Sequence, residues 1–199
     1  GQDFARAVAS SSRPVVFVGN PGVPGLAYVD VDHVHSAATA TKHLLRRGAR
    51  TIGTVTGPMD MSAGIERLRG FQQAMAQAGR SGHLIAEGDF TFSGGESATF
   101  DLLSHHPEID ALFVASDLMA SGALRAAERL GRRVPDDLLL VGFDDSLIAT
   151  QSIPKLTTME NRPDVLARTA GQMLLEKLNG REPDSPVILP SGLIVRESA

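Results

Sequence analysis

The 199-residue chain has no cysteine, no tryptophan and one tyrosine. Without cysteine there is no disulfide framework, no thiolate nucleophile and no cysteine-ligated zinc. With so few large aromatics, an aromatic-rich platform for a sugar or a stacking surface for nucleic acid is not expected. Net charge is −4, from 19 basic and 23 acidic side chains. That balance argues against a nucleic-acid sleeve or a polybasic membrane binder. No apolar run approaches the ~20 residues that span a bilayer, and the opening GQDFARAVAS does not read as a signal peptide. The chain also lacks a G-x-S-x-G elbow, a Walker loop and a G-x-G-x-x-G turn, so no cofactor is expected and enzyme chemistry has no motif to rest on. The glycine-rich loop from Gly19 to Gly25 contains Pro21 and Pro24, which lack N–H donors and make a poor phosphate cradle. Asp30, Asp32, His33 and His35 fall at a strand-to-helix junction, where capping is a better reading than metal ligation.

What is present alternates between strand and helix. Short β-branched runs occupy 15–18, 51–56, 111–115 and 138–142, with weaker runs at 84–86 and 187–189. Helical periodicity predicts helices over 36–47, 64–78, 118–130 and 163–179, each followed by a glycine (Gly48, Gly79, Gly131, Gly180) that suits a left-handed C-cap. A weaker helix is expected at 95–104 and the tail of another at 3–9. Continuously apolar strands between helices imply an α/β fold of parallel sheets covered on both faces. Periodicity alone leaves open whether there is one sheet or two.

In an open parallel sheet, ligands bind beyond the carboxyl ends of the strands. The residues just after each run are therefore the candidates: Asp60 with Arg67 on the next helix, Phe90, Ser116 with Asp117, and Asp144 with Asp145. Carboxylates accept hydrogen bonds from hydroxyls, a guanidinium donates a planar fork, and an aromatic face covers an apolar ring face. The set suits a hydroxyl-rich or heterocyclic small molecule. Each residue also has a local alternative. Ser116 or Asp117 could cap the following helix, Asp144 and Asp145 could form a turn, Arg67 could be a solvated helix residue, and Phe90 could belong to the core.

The order of motifs resembles the effector-binding core of the LacI/GalR family of bacterial transcription regulators. The resemblance is carried by Asp32-His33 with Ser36-Ala37, Ala40, His43-Leu44-Leu45 and Gly48. It continues through Ile52-Gly53, Thr56-Gly57-Pro58, Arg67-x-x-Gly70-Phe71 and Ala78-Gly79. Next come Ala115-Ser116-Asp117-x-Met119-Ala120, Val134-Pro135-x-Asp137 and Val141-Gly142-Phe143-Asp144-Asp145. Pro154-x-Leu156-Thr157-Thr158 and Leu193-x-Val195-Arg196-Glu197-Ser198 complete the set.

That resemblance implies two Rossmann-like parallel-sheet lobes of periplasmic-binding-protein type, the N-terminal one truncated. The partial N-terminal lobe would comprise 1–31 and 161–190, the C-terminal lobe 32–160 and 191–199. The lobes would be joined by crossings near Val31–Asp32, Glu160–Asn161 and Pro190. An effector would sit between them, contacted by Arg67, Asp144, Phe90, Ser116 (where the family usually has asparagine), Asp117, Asp32 and Asn161. The implied role is a cytoplasmic, non-enzymatic sensor of a small polar molecule, such as a sugar, that controls operator binding. Its partners would be the effector, a second copy in a homodimer, and operator DNA reached only through an N-terminal head absent from this chain, with no membrane partner. A truncated lobe would also expose sheet edge and apolar area, favouring association. A periplasmic sugar-binding protein of a transporter shares the two-lobe fold and is the alternative. Arg67→Ala and Asp144→Ala are each expected to abolish effector binding and to leave folding largely intact.

Overall fold

The structure, a computed structural model, describes residues 2–10 and 13–199. Elements run α1 (Gln2–Ala9), β1 (Phe17–Val18), β2 (Tyr28–Val31), α2 (His33–Arg46), β3 (Ile52–Thr56), α3 (Ser62–Gln77), β4 (Ile85–Glu87) and α4 (Phe92–His105). They continue with β5 (Ala111–Val114), α5 (Asp117–Arg129), β6 (Leu139–Asp144), α6 (Leu147–Gln151), β7 (Thr157–Glu160), α7 (Pro163–Leu178), β8 (Val187–Leu189) and β9 (Leu193–Ile194).

The strands form two sheets. A three-stranded parallel sheet has the order β1-β2-β8, and a six-stranded sheet has the order β4-β3-β5-β6-β7-β9. All pairs in the larger sheet are parallel except β7 with β9. The chain changes sheet after Val31, returns through α7 to β8, and changes again between Leu189 and Leu193.

Burial explains the strand composition. Every residue of β3 and β5 is buried, as expected for central parallel strands covered on both faces. One apolar cluster joins Leu44, Ile52, Phe71, Phe113 and Phe143 to Val29 and Val31 of the small sheet and to Leu166 and Met173 of α7. A second holds Leu102, Leu103, Leu112, Met119, Ala123 and Leu140 on the other face of the larger sheet. Two close helix approaches depend on missing side chains. A Cβ at Gly70 would lie 2.2 Å from the Val34 carbonyl oxygen, and one at Gly122 would lie 2.2 Å from that of Phe92.

Several boundaries differ from the sequence reading. Helix α2 begins three residues before the expected start, because the Asp32 side chain accepts from His35 N at 2.8 Å and caps it there. Thr91 caps α4 in the same way, through Gly94 N at 3.0 Å, which moves its start to Phe92. The strands β7 and β9 and the short α6 escaped notice, and β2 was implied only by the junction before α2. Strand β7 carries Thr157 and Thr158, fully buried polar residues whose hydroxyls bond within the fold, and β2 contains the buried carboxylate Asp30.

Candidate functional site

Parallel pairing of β3, β5 and β6 brings their carboxyl ends to one edge. There Ala63, Arg67, Phe90, Ser116, Leu118 and Asp144 line a cavity of about 310 Å³. Four of the seven expected contact residues, Arg67, Phe90, Ser116 and Asp144, therefore share one wall.

Arg67 projects from α3 and is 4% exposed. Its guanidinium carbon lies 3.6 Å from the Phe143 ring centroid and 5.8 Å from that of Phe90. Its Nε donates to His33 Nδ1 at 3.3 Å and its Nη1 to the Ala115 carbonyl oxygen. The solvated-helix alternative for Arg67 does not hold. Burial lowers its pKa, and the carboxylates of Asp144, Asp30, Asp117 and Glu66 oppose that shift, so the group stays charged.

Asp144 ends β6 with φ 119°, and its Oδ1 lies 3.8 Å from Arg67 Nη2. That gap is longer than a hydrogen bond. A hydroxyl placed between the two can accept from the guanidinium and donate to the carboxylate. Burial raises the Asp144 pKa to about 6 despite the attraction of Arg67, and the nearby Asp117 adds to the rise.

Phe90 adopts φ 63°, and its ring lies against Gly57, where a Cβ would fall 2.1 Å from Cζ. The glycine is thus a condition for the ring's place at the cavity. The described non-glycine residues with positive φ are Phe90, Asp144, Asp145 and Arg162. The first two line this cavity, and Asp144, Asp145 and Arg162 line an adjoining one of about 240 Å³. Strained backbone of this kind concentrates at functional sites.

The remaining three expected residues do other work in this structure. Asp117 is fully buried. Its Oδ1 accepts from Thr158 Oγ1 at 2.6 Å, and its Oδ2 accepts from Ser146 N at 2.8 Å and Ser146 Oγ at 3.1 Å. It pins the segment after β6 to β7, and burial raises its pKa. The helix cap next to it is Ser116, whose Oγ accepts from Met119 N at 3.2 Å. Asn161 stands behind the cavity, its Nδ2 donating to Asp144 Oδ1 at 3.3 Å. Asp32 is exposed and caps α2, away from these walls.

A second cavity, about 260 Å³, shares Ala63 with the first and is lined on its other side by Phe17, Asn20, Asp30 and His33. Asp30 and His33, set aside in the sequence as a capping junction, are buried here and bonded to each other. Burial pushes the Asp30 carboxyl up, but bonds from His33, Asn20 N and Val31 N leave it below the usual carboxylate range. The available signal was a carboxylate between Val29 and Val31, inside an otherwise apolar strand. Among the described residues, no group of three or more His, Cys, Asp or Glu side chains is placed to hold a metal ion. No described helix is long and apolar enough to cross a membrane.

This geometry, two sheets with polar side chains gathered at strand ends, has relatives. Residues 41–199 match the family described as "Periplasmic binding protein-like domain". The chain is 41% identical over 192 residues to the HTH-type transcriptional regulator CelR of Thermobifida fusca, covering 93% of this chain and 56% of that protein. Among solved structures, a transcriptional regulator CelR–cellobiose complex superposes with a TM-score of 0.86 at 33% identity, covering 100% of this chain and 69% of that one. A regulatory protein of the LacI family from Chloroflexus aggregans superposes with a TM-score of 0.86 at 30% identity, covering 98% and 71%. The chain belongs to the periplasmic binding protein-like domain family, within the group of LacI-type regulators. It spans about half the length of the curated relatives it matches.

Proposed function

We propose that this chain is the effector-sensing part of a LacI-type transcriptional regulator and that it binds a sugar at the cavity on the carboxyl edge of the larger sheet. The observation that carries the reading is the convergence of Arg67, Asp144, Phe90 and Ser116 on one wall. The guanidinium and carboxylate serve hydroxyls, and the Phe90 ring covers the apolar face of a pyranose. A relative solved with cellobiose makes that disaccharide the first compound to try. Asn161 and Asp117 act by holding Asp144 and its loop, and Asp32 by starting α2.

The two halves proposed to move about the ligand are 1–31 with 161–190, and 32–160 with 191–199. Membership of β1, β2 and β8 in one sheet and of the other strands in the second supports this division. Sugar binding would shift the balance between arrangements by its difference in affinity for them. Operator DNA would be contacted through parts outside this chain, in the cytoplasm. The relatives' names as regulators favour a sensor over a transport protein or a catalyst. A second copy of the chain would pack on the face that carries Phe92 and Ile153, apolar side chains that line one groove and are 41% and 94% exposed.

The test is a thermal-shift and calorimetric panel of cellobiose, other disaccharides, monosaccharides and purine bases. A sugar at 100 times its Kd adds about 2.7 kcal/mol to stability. For a domain of this size that is a rise in Tm of roughly 5–10 °C. A purine that binds while every sugar fails would overturn the ligand class. Unchanged sugar affinity in both Arg67→Ala and Asp144→Ala would remove the site.

A further inference from the structure

Behind Arg67 stands a buried polar chain that begins in the other sheet. Asp30 lies in β2 and is 5% exposed, and His33 opens α2 and is 4% exposed. His33 Nε2 lies 3.1 Å from Asp30 Oδ1, and His33 Nδ1 receives Arg67 Nε–H at 3.3 Å. A guanidinium can only donate and a carboxylate only accept. The two partners therefore assign the imidazole's tautomer: the proton sits on Nε2 and Nδ1 is bare. The His33 ring also packs 5.6 Å from that of Phe143, the ring on which the guanidinium lies.

The donors of Arg67 are divided by this arrangement. Nε–H goes to His33, one hydrogen of Nη1 goes to Ala115 O, and Nη2 faces Asp144 beyond hydrogen-bond distance. Both Nη2 hydrogens and the second hydrogen of Nη1 are left for a ligand. A second link works beside the first. Asn20 N donates to Asp30 Oδ2 at 2.7 Å, and Asn20 Nδ2 donates to Glu66 Oε1 at 3.1 Å, one residue before Arg67 on α3.

We propose that His33 is a positioning residue for sugar recognition. Anchored by Asp30 of the small sheet, it holds the guanidinium of Arg67 with its Nη2 edge toward the cavity. The proposal rests on the reading of Arg67 as a sugar-contacting group. It makes affinity depend on a hydrogen-bond acceptor at residue 33, not on ring bulk there. It also ties the arginine's orientation to the small sheet, so that displacement of β2 relative to α3 would turn the guanidinium away from the ligand.

Two variants separate acceptor from bulk. His33→Phe keeps a ring against Phe143 and removes the acceptor. His33→Gln restores both roles, since an amide oxygen can accept from Arg67 and an amide N–H₂ can donate to Asp30. The first readout needs no ligand: hydrogen exchange of the Arg67 Nε–H followed by NMR. It should accelerate about tenfold in His33→Phe and return toward the wild-type rate in His33→Gln. The second readout is calorimetry with cellobiose, or with whichever panel sugar the wild type binds. Affinity should fall about tenfold in His33→Phe and recover in His33→Gln.

Unchanged Arg67 Nε–H protection in His33→Phe would overturn the proposal, as would a glutamine variant no better than phenylalanine. Should the phenylalanine variant fail to fold, the imidazole ¹⁵N spectrum of the wild-type chain at neutral pH decides. A proton on Nε2 supports the arrangement, and a proton on Nδ1 refutes it. Failure of the underlying site reading looks different, because Arg67→Ala would then bind sugar as the wild type does while the exchange result stands.

Discussion

Sugar binding should weaken about tenfold when the pH is lowered from about 8 to about 5, and Asp144 should account for the change. Burial moves this carboxyl from the ordinary 3.8 to about 6. Hydroxyls that donate to Asp144 need the ionised form, so apparent affinity follows the ionised fraction. At about pH 8 nearly every molecule is ionised, and at about pH 5 roughly one in ten is, a difference of about 1.4 kcal/mol. The same shift has the opposite consequence for folding of the unliganded chain. Between about pH 4 and about pH 6 the folded state holds the proton more tightly than the unfolded state. Stability contributed by protonated Asp144 is therefore present at low pH and is lost as the pH rises through about 6. The ceiling on that loss is about 3 kcal/mol, and since the side chain is 29% exposed the loss falls below it. Calorimetric titrations with cellobiose, or the sugar found in the panel, at intervals from about pH 5 to about pH 8 measure the first effect, and urea unfolding over the same range measures the second. Asp144→Asn is the control: weaker binding, a flat pH profile and higher stability than wild type at about pH 8. Equal wild-type affinity at both ends of the range would refute the reasoning, and so would an undiminished pH slope in Asp144→Asn.

Three further predictions concern the parts that hold the site. Arg67→Ala should abolish binding and also cost about 2–4 kcal/mol in urea denaturation. That departs from the sequence expectation of intact folding, because the side chain is buried against Phe143 and bonded to His33 and Ala115. Asp117→Ala should destabilise the fold by about 2–4 kcal/mol by stripping Ser146 N, Ser146 Oγ and Thr158 Oγ1 of their acceptor, while its affinity for sugar, measured below the melting range, falls less than that of Asp144→Ala. Gly57→Ala should push the Phe90 ring off the cavity wall and weaken binding by about tenfold, the worth of an aromatic contact, with calorimetry as the check and Phe90→Ala as the benchmark.

Much of the α/β alternation was legible because it depends on local signals. Apolar runs short enough to be strands, helical stripes and terminal glycines with φ of +67° to +92° (Gly48, Gly79, Gly131, Gly180) all act over a few residues. The edge bearing Arg67, Phe90, Ser116 and Asp144 was legible for a related reason. Parallel strands in register place the residues that follow them side by side, so reading what comes after each strand amounts to reading that edge. Asp32 illustrates the limit. Its type fits a cleft as well as a cap, and only the folded chain shows that it caps α2 through His35 N.

By itself, then, the sequence determined the longer helices, the central strands and which polar side chains gather at their carboxyl ends, since each follows from nearest-neighbour preferences and from chain direction. Tertiary structure alone decided that β1, β2 and β8 pair apart from the rest, that Ser116 and not Asp117 caps α5, and that Asp30 reaches Arg67 through His33. The sheet pairing and the Arg67–His33 bond depend on contacts between segments distant in the chain, and the choice of cap depends on side-chain orientations that residue type leaves open.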